Sequence, residues 1–166
     1  MDANTIMPLL IRELEGFRRE LKMFPDEESL WQVVPGITNS AANLAIHVAG
    51  NLQHYIGAVL GGTNYIRHRD VEFSRRTGTL AEVLSELDQA ENVVRTVLPK
   101  ISAAVLDSEY PEAVGTMTFR TDQLLLHLCV HAGFHLGQAG YLRRAMTGIS
   151  TSSGPLPLQP IAIAVV

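Results

Sequence analysis

Apolar residues recur at three- and four-residue steps in four long stretches of the chain, with polar and turn-forming residues between them. In the first, about residues 4–22, Met7, Leu10, Leu14, Phe17 and Leu21 fall on one line, which predicts an amphipathic helix. The second covers about 40–60. Ser40 stands where an N-cap belongs, Leu44, Val48, Leu52, Tyr55 and Val59 follow on one side, and Gly61-Gly62 ends it. The third, about 79–101, opens on Thr79 with Glu82 three residues on, a capping-box pattern. Leu80, Leu84, Leu87, Val94, Leu98 and Ile101 supply its apolar face. The fourth, about 120–146, sets Leu124, Leu128, His131, His135, Gln138 and Leu142 along a single row. Polar groups therefore occupy the middle of a stripe bounded by leucines.

The intervening segments, 23–39, 61–78 and 102–119, read as loops, and residues 31–34 and 116–119 also allow short extended pieces. Four helices with mixed short and long connections predict an all-α fold, a four-helix bundle, over residues 1–149. Residues 150–166 are rich in Ser, Gly and Pro before closing on IAIAVV. They read as a tail packed on the domain or on a partner subunit.

Composition narrows the function classes. With 166 residues, 46% of them hydrophobic and 18% charged, the chain suffices for one domain with its own core. A net charge of -4 and a pI near 5.8 argue against a nucleic-acid surface, which needs a basic stripe. No run of about 18 apolar residues predicts a membrane span, and the start MDANTIMPLLIREL does not read as a signal peptide. Cys129 is the only cysteine, so no intrachain disulfide forms, which suits a reducing cytoplasm.

Chemistry concentrates in HLCVHAGFHLGQ, residues 127–138. Helix residues four apart differ by about 40° and ~6 Å, so His131 and His135 can aim at a common point, as paired zinc ligands do. His127 lies ~12 Å along the axis from His135, and one ion cannot take both ends of that row. On the second helix His47 falls beside the seam, with Asn51 and His54 after it, and offers a third ligand. Three imidazoles leave positions open for water or substrate, as in a reactive site. The competing reading is a set of hydrogen-bonded core imidazoles. It requires a partner for every ring nitrogen, which leucine and valine neighbours cannot supply. Cys129 turns about 200° from His131 and reads as a small core residue. His54 and His68 read as surface or supporting residues. Gly133 and Gly140 serve close helix packing or, at Gly133, leave space for substrate.

The segments HVAGNLQHYIGAVLGG, RHRDVEFSRR and HAGFHLGQAGYLRR together resemble the DinB-like superfamily, which includes bacillithiol transferases and mycothiol-dependent isomerases. The likeness extends over roughly residues 5–147, and its most specific element is H-x-x-x-H-x-G-Q with an upstream helical histidine. It implies a bundle of up-down-down-up order, a homodimer, and a divalent metal ion held by His47, His131 and His135. Zinc or nickel come first, and iron, manganese or copper also suit imidazole. The same resemblance puts His127 beside the ion rather than on it; in a thiol-transferring site Gln138 or Asn51 would steady a ligand. The Arg69-Asp70-Val71-Glu72-Phe73 segment matches a recurring loop whose role the sequence does not give.

The implied reaction is metal-dependent transfer of a small-molecule thiol to an electrophile, the ion favouring the thiolate. A metal-dependent hydrolase is the alternative, lowered because no glutamate accompanies the ligands as in H-E-x-x-H. A non-catalytic metal-binding or stress-related protein is the third reading. No Glu-x-x-His pair occurs, which sets a di-iron carboxylate centre aside.

Overall fold

A computed structural model describes residues 2–162. Its α-helices are α1 (Ala3–Leu21), α2 (Glu27–Trp31), α3 (Ala41–Leu52), α4 (Arg69–Ser74), α5 (Leu80–Val97), α6 (Ala103–Asp107) and α7 (Thr121–Thr147). The four long ones match the predicted stretches and form an all-α bundle. α1 packs on α5 and α7, and α3 packs on the same pair from the other side. Among the described residues no helix is long and apolar enough to cross a membrane.

Local chemistry explains the helix ends. Ser40 and Asn43 cap α3 reciprocally, each accepting a bond from the other's backbone N–H. Thr79 and Glu82 do the same for α5. α7 ends at Gly148, whose φ of 68° only glycine adopts cheaply, and its N–H donates to the Arg144 carbonyl at 3.0 Å. The loops are more helical than the periodicity predicts. Asp26 caps α2 and Ser102 caps α6, but five residues are too few to show a 3.6-residue repeat. Trp31 closes α2 rather than opening an extended piece, and residues 109–120 form only isolated bridges, Glu109 with Arg120 and Val114 with Met117.

α1 buries Leu10, Leu14, Phe17 and Leu21, with Ile6 taking the place expected of Met7. On α5 the deepest positions are Val83, Leu87, Ala90 and Val94, while Leu80 and Leu84, with Ile101 beyond its end, lie at the edge. α3 is buried along its whole length, and Ala41, Ala42, Ala45, Ala49 and Gly50 let helices approach it on every side. Beyond Leu52 the predicted helix changes pitch, continuing as π-helix over Gln53–Leu60. The wider turn shifts the seam, so Ile56 enters the core and Tyr55 and Val59 are only half-buried.

The α1–α7 contact is partly ionic. Arg143, fully buried, donates to the buried Glu20 carboxylate and, through Nη2, to the Thr151 carbonyl at 2.6 Å. Gly140 faces that carboxylate, and a Cβ there would stand 3.4 Å from its carbon, in ordinary contact. Gly133 likewise faces Glu13 on α1, so its missing side chain leaves no substrate space beside the histidines. The tail runs back over α1. Arg19 donates to the Pro155 carbonyl at 3.3 Å, and Leu156 sits over Gly16 beside Leu136. Of the IAIAVV run, Ile161 and Ala162 are described and residues 163–166 lie outside the described residues.

Candidate metal centre

α3 and α7 pack face to face, and this contact brings His47 to His131 and His135. The Nε2 atoms of His47 and His131 are 3.2 Å apart, and those of His131 and His135 are 3.1 Å apart. Ligand atoms of all three lie within 4.8 Å of one another. Two nitrogens on a tetrahedral ion with ~2.0 Å bonds are themselves ~3.3 Å apart, so the spacing suits a shared ion.

The outer ring nitrogens fix the tautomers. His47 Nδ1–H donates to Glu72 Oε2 at 2.8 Å, and His135 Nδ1–H donates to Gln138 Oε1 at 2.7 Å. Both neutral rings then present unprotonated Nε2 atoms inward. Asn51 Nδ2 donates to the one on His47 at 3.1 Å. A single proton on His131 Nε2 serves only one of its two neighbours, leaving the other pair of nitrogens in close contact without a bond. A cation takes all three lone pairs together, so the donor set fits a metal ion.

Glu72 is the principal residue that helical periodicity does not find. It lies on α4, a six-residue helix held to α3 by Asn43, whose Nδ2 donates to the Glu72 and Arg75 carbonyls at 2.8 and 2.9 Å. Arg67 grips its carboxylate from both sides, Nε to Oε1 at 2.7 Å and Nη2 to Oε2 at 2.8 Å. Burial pushes this carboxyl up, but the hydrogen bonds from Arg67 and His47 outweigh it and hold it below the usual range. The charged carboxylate accepts and never donates, which keeps the His47 proton on Nδ1. Gly50, one turn after His47, makes room for it. A Cβ there would overlap Glu72 Oε1 and lie 3.0 Å from its carboxyl carbon. The Phe73 ring covers His47 at 4.6 Å between centroids.

A cleft of about 230 Å³ opens on the cluster, lined by His47, His131, Asn51, Tyr55, Arg67, Arg69 and His127 among others, none of them a carboxylate. His127 is exposed, with its ring 5.9 Å from that of His131, at the mouth of this cleft. Gln138 is also exposed and borders a second, more apolar cleft of about 430 Å³. His54 leaves the row of His47 and Asn51 because the π-helix begins before it, and it pairs with Glu112 at 2.9 Å. His68 is exposed at the start of α4. Cys129 is buried, and burial with the nearby Glu13 charge pushes its thiol up to about 12, so it is no nucleophile.

Burial, then the charges of His135, His47 and His127, pushes His131 down to about 3, and burial also lowers His135. The folded protein therefore refuses a proton that the unfolded chain accepts near pH 6.5. Without metal, stability is greatest above that value and falls as pH drops toward 3, with Glu72 adding to the loss below about 4.5. The slope from His131 stays under ~1.4 kcal/mol per pH unit, because the ring borders solvent. Urea midpoints of metal-free protein between pH 7.5 and 5 should fall together with pH over roughly this window; a flat profile contradicts the assignment.

Comparison with protein families gives a match to the DinB superfamily over residues 9–139, which includes all three histidines, Glu72 and most of α7. No match was found among curated proteins. A family match over most of the length, on a bundle carrying these histidines where they converge, establishes that the chain belongs to the DinB superfamily.

Proposed function

We propose that His47, His131 and His135 hold a divalent metal ion and that the site transfers a low-molecular-weight thiol to an electrophile. The observation that carries this reading is the convergence of three imidazoles, two of them oriented inward by Glu72 and Gln138, beside an open cleft that His47 and His131 line. When bound, the ion supplies the Lewis acidity that favours a thiolate at neutral pH. Zinc and nickel are the first choices for an all-imidazole site.

The residues of the chain supply orientation and charge. Asn51 presents an amide N–H beside His47 Nε2 and can hold a polar atom of the incoming molecule. Arg69 makes the cleft wall electropositive, which favours an anionic sulfur over a neutral one. At about 230 Å³ the cleft is smaller than the ~300–1,000 Å³ of a drug-sized pocket, so it takes the reactive end of a small molecule. In the transfer the thiol loses its proton to solvent, sulfur bonds to the electrophilic carbon, and the leaving group departs with the bonding pair. Hydrolysis is less well served, since Glu72, the nearest carboxylate, is engaged by Arg67 and His47.

The test pairs metal-loaded protein with a panel of small thiols and alkylating or unsaturated electrophiles, read as product by mass spectrometry. Turnover is expected to need the ion and to vanish in His131→Ala. Hydrolysis of ester, amide or phosphoester substrates with no thiol product supports the hydrolase instead. Metal binding without turnover of any kind supports a non-catalytic role.

A further inference from the structure

The three histidines stand between two clefts of opposite character. α3 and α7 run antiparallel past each other, since Leu44 shares one cleft with Leu142 while Asn51 and Tyr55 share the other with Leu124 and His127. Along α3 the order is Leu44, His47, Asn51, and along α7 in reverse it is Leu142, His135, His131, His127, so the imidazoles separate the two. The cleft on the Asn51 side holds about 230 Å³ and is lined by Arg67 and Arg69. The cleft on the Leu44 side holds about 430 Å³, and no charged side chain lines it.

That second cleft suits a neutral, apolar body. Leu44 and Leu142 are buried beneath it, and Val34 and the half-exposed Ile37 wall it from the loop before α3. Its volume falls within the ~300–1,000 Å³ of pockets that enclose a small organic molecule, a size the arginine-lined cleft does not reach. An anion placed there would lose hydration with no cation to replace it. One polar group joins this cleft to the histidines. Gln138 borders it, and Gln138 Oε1 accepts from His135 Nδ1–H at 2.7 Å, while its Nε2 has no hydrogen-bond partner among the described residues. That amide can donate to a carbonyl or similar atom of a molecule in the cleft, fixing its polar end toward the histidines.

We infer that this uncharged cleft is the subsite for the electrophile, and that its occupant is a neutral, largely apolar molecule with a hydrogen-bond acceptor near its reactive carbon. The inference rests on the thiol-transfer reading above. The anionic sulfur enters from the arginine side and the electrophile from the other, so the two meet across the histidines without competing for one cleft. The bonds are those already given: sulfur bonds to the electrophilic carbon as the leaving group departs with its electron pair.

Fluorescence titration with prodan, a neutral naphthyl ketone, tests the site on the full chain with no metal or thiol present. Saturable binding is expected, weakened at least about 10-fold in Ile37→Glu, which puts a charge in the cleft, and in Ala145→Phe, which fills it. Both positions are exposed, so circular dichroism should match the parent. Val130→Glu, exposed on α7 and lining neither cleft, should change nothing. 2-Acetylnaphthalene should displace prodan at least about 10-fold better than 2-naphthoate, which carries a charge. In the metal-loaded transfer assay, Ile37→Glu should raise KM for a naphthyl electrophile about 10-fold and leave KM for the thiol unchanged. No saturable binding, binding that ignores both cleft variants, or equal displacement by the anion overturns the inference, as does transfer with an unmoved electrophile KM. A second copy of the chain seated in the cleft would make prodan affinity fall as protein concentration rises, which also overturns it. If no thiol is transferred at all, the reaction fails instead, and the displacement pair still decides what the cleft takes.

Discussion

Replacing His131 by alanine is expected to abolish stoichiometric binding of a divalent ion while leaving the bundle folded. His131 is the hub of the cluster, the one ring whose Nε2 approaches both of the others, at 3.2 and 3.1 Å. Without it His47 and His135 still present lone pairs, but from different helices and with no third nitrogen to close the site. Affinity should fall at least about 100-fold, beyond the 10–100-fold typical of losing an outer partner of a ligand. The fold tolerates the change because Leu124, Leu128 and Leu142, buried on either side of the ring along α7, stay in place. The variant should also lose much of the acid sensitivity of the metal-free protein between about pH 6.5 and 5, since the ring that resists protonation is gone. Equilibrium dialysis with elemental analysis, and urea unfolding at the two pH values, read both effects. Full metal occupancy in the variant sinks the three-histidine assignment.

The second large effect is expected at Glu72. Glu72→Ala removes the anion between two donors, the buried His47 Nδ1–H at 2.8 Å and the part-buried Arg67 guanidinium at 2.7 Å. Arg67 borders the open cleft, so leaving it unpaired costs less than the ~3–5 kcal/mol of a fully buried ion, and with no acceptor to hold its proton on Nδ1, His47 can turn that nitrogen inward. Stability and metal affinity should therefore fall together. Gly50→Ala separates the two. Its Cβ pushes the carboxylate out of place without removing it, so the anion still offsets Arg67 while the bond to His47 lengthens. The helical gain of about 1 kcal/mol from replacing glycine partly offsets the crowding. Metal affinity should drop about 10-fold or more with a far smaller loss of stability than in Glu72→Ala. Thermal melts and competition with a chelator measure the pair. Unchanged affinity in both variants means that Glu72 does not orient His47.

The residues show why the sequence reveals the ligands better than their support. Leu124, Leu128, His131, His135 and Leu142 share an unbroken α-helix, so their 3.6-residue spacing survives folding and the polar groups in the seam stand out. His47 was legible for the same reason on α3. Glu72 is not, because it approaches His47 from 25 positions away on a six-residue helix too short to show a period. Its motif drew attention through resemblance alone. A buried imidazole ligand does call for a partner on its outer nitrogen, but that need does not say which carboxylate answers it. The π-helix over Gln53–Leu60 hides for another reason. Its residues are those of an α-helix, and only the wider turn moves Ile56 inward and His54 toward Glu112. The ionic contact of α1 with α7 was masked in turn, since Glu20 and Arg143 stand beside apolar seams where charges normally meet water.

The central claim is that imidazoles from two helices converge on one ion. X-ray absorption at the metal edge of the loaded protein tests it most directly. In buffer free of thiol, the account predicts one ion per chain with three imidazole nitrogens at ~2.0–2.1 Å and only oxygen or nitrogen completing the shell. A sulfur neighbour, fewer than three imidazoles, or an unchanged spectrum in His47→Ala contradicts it.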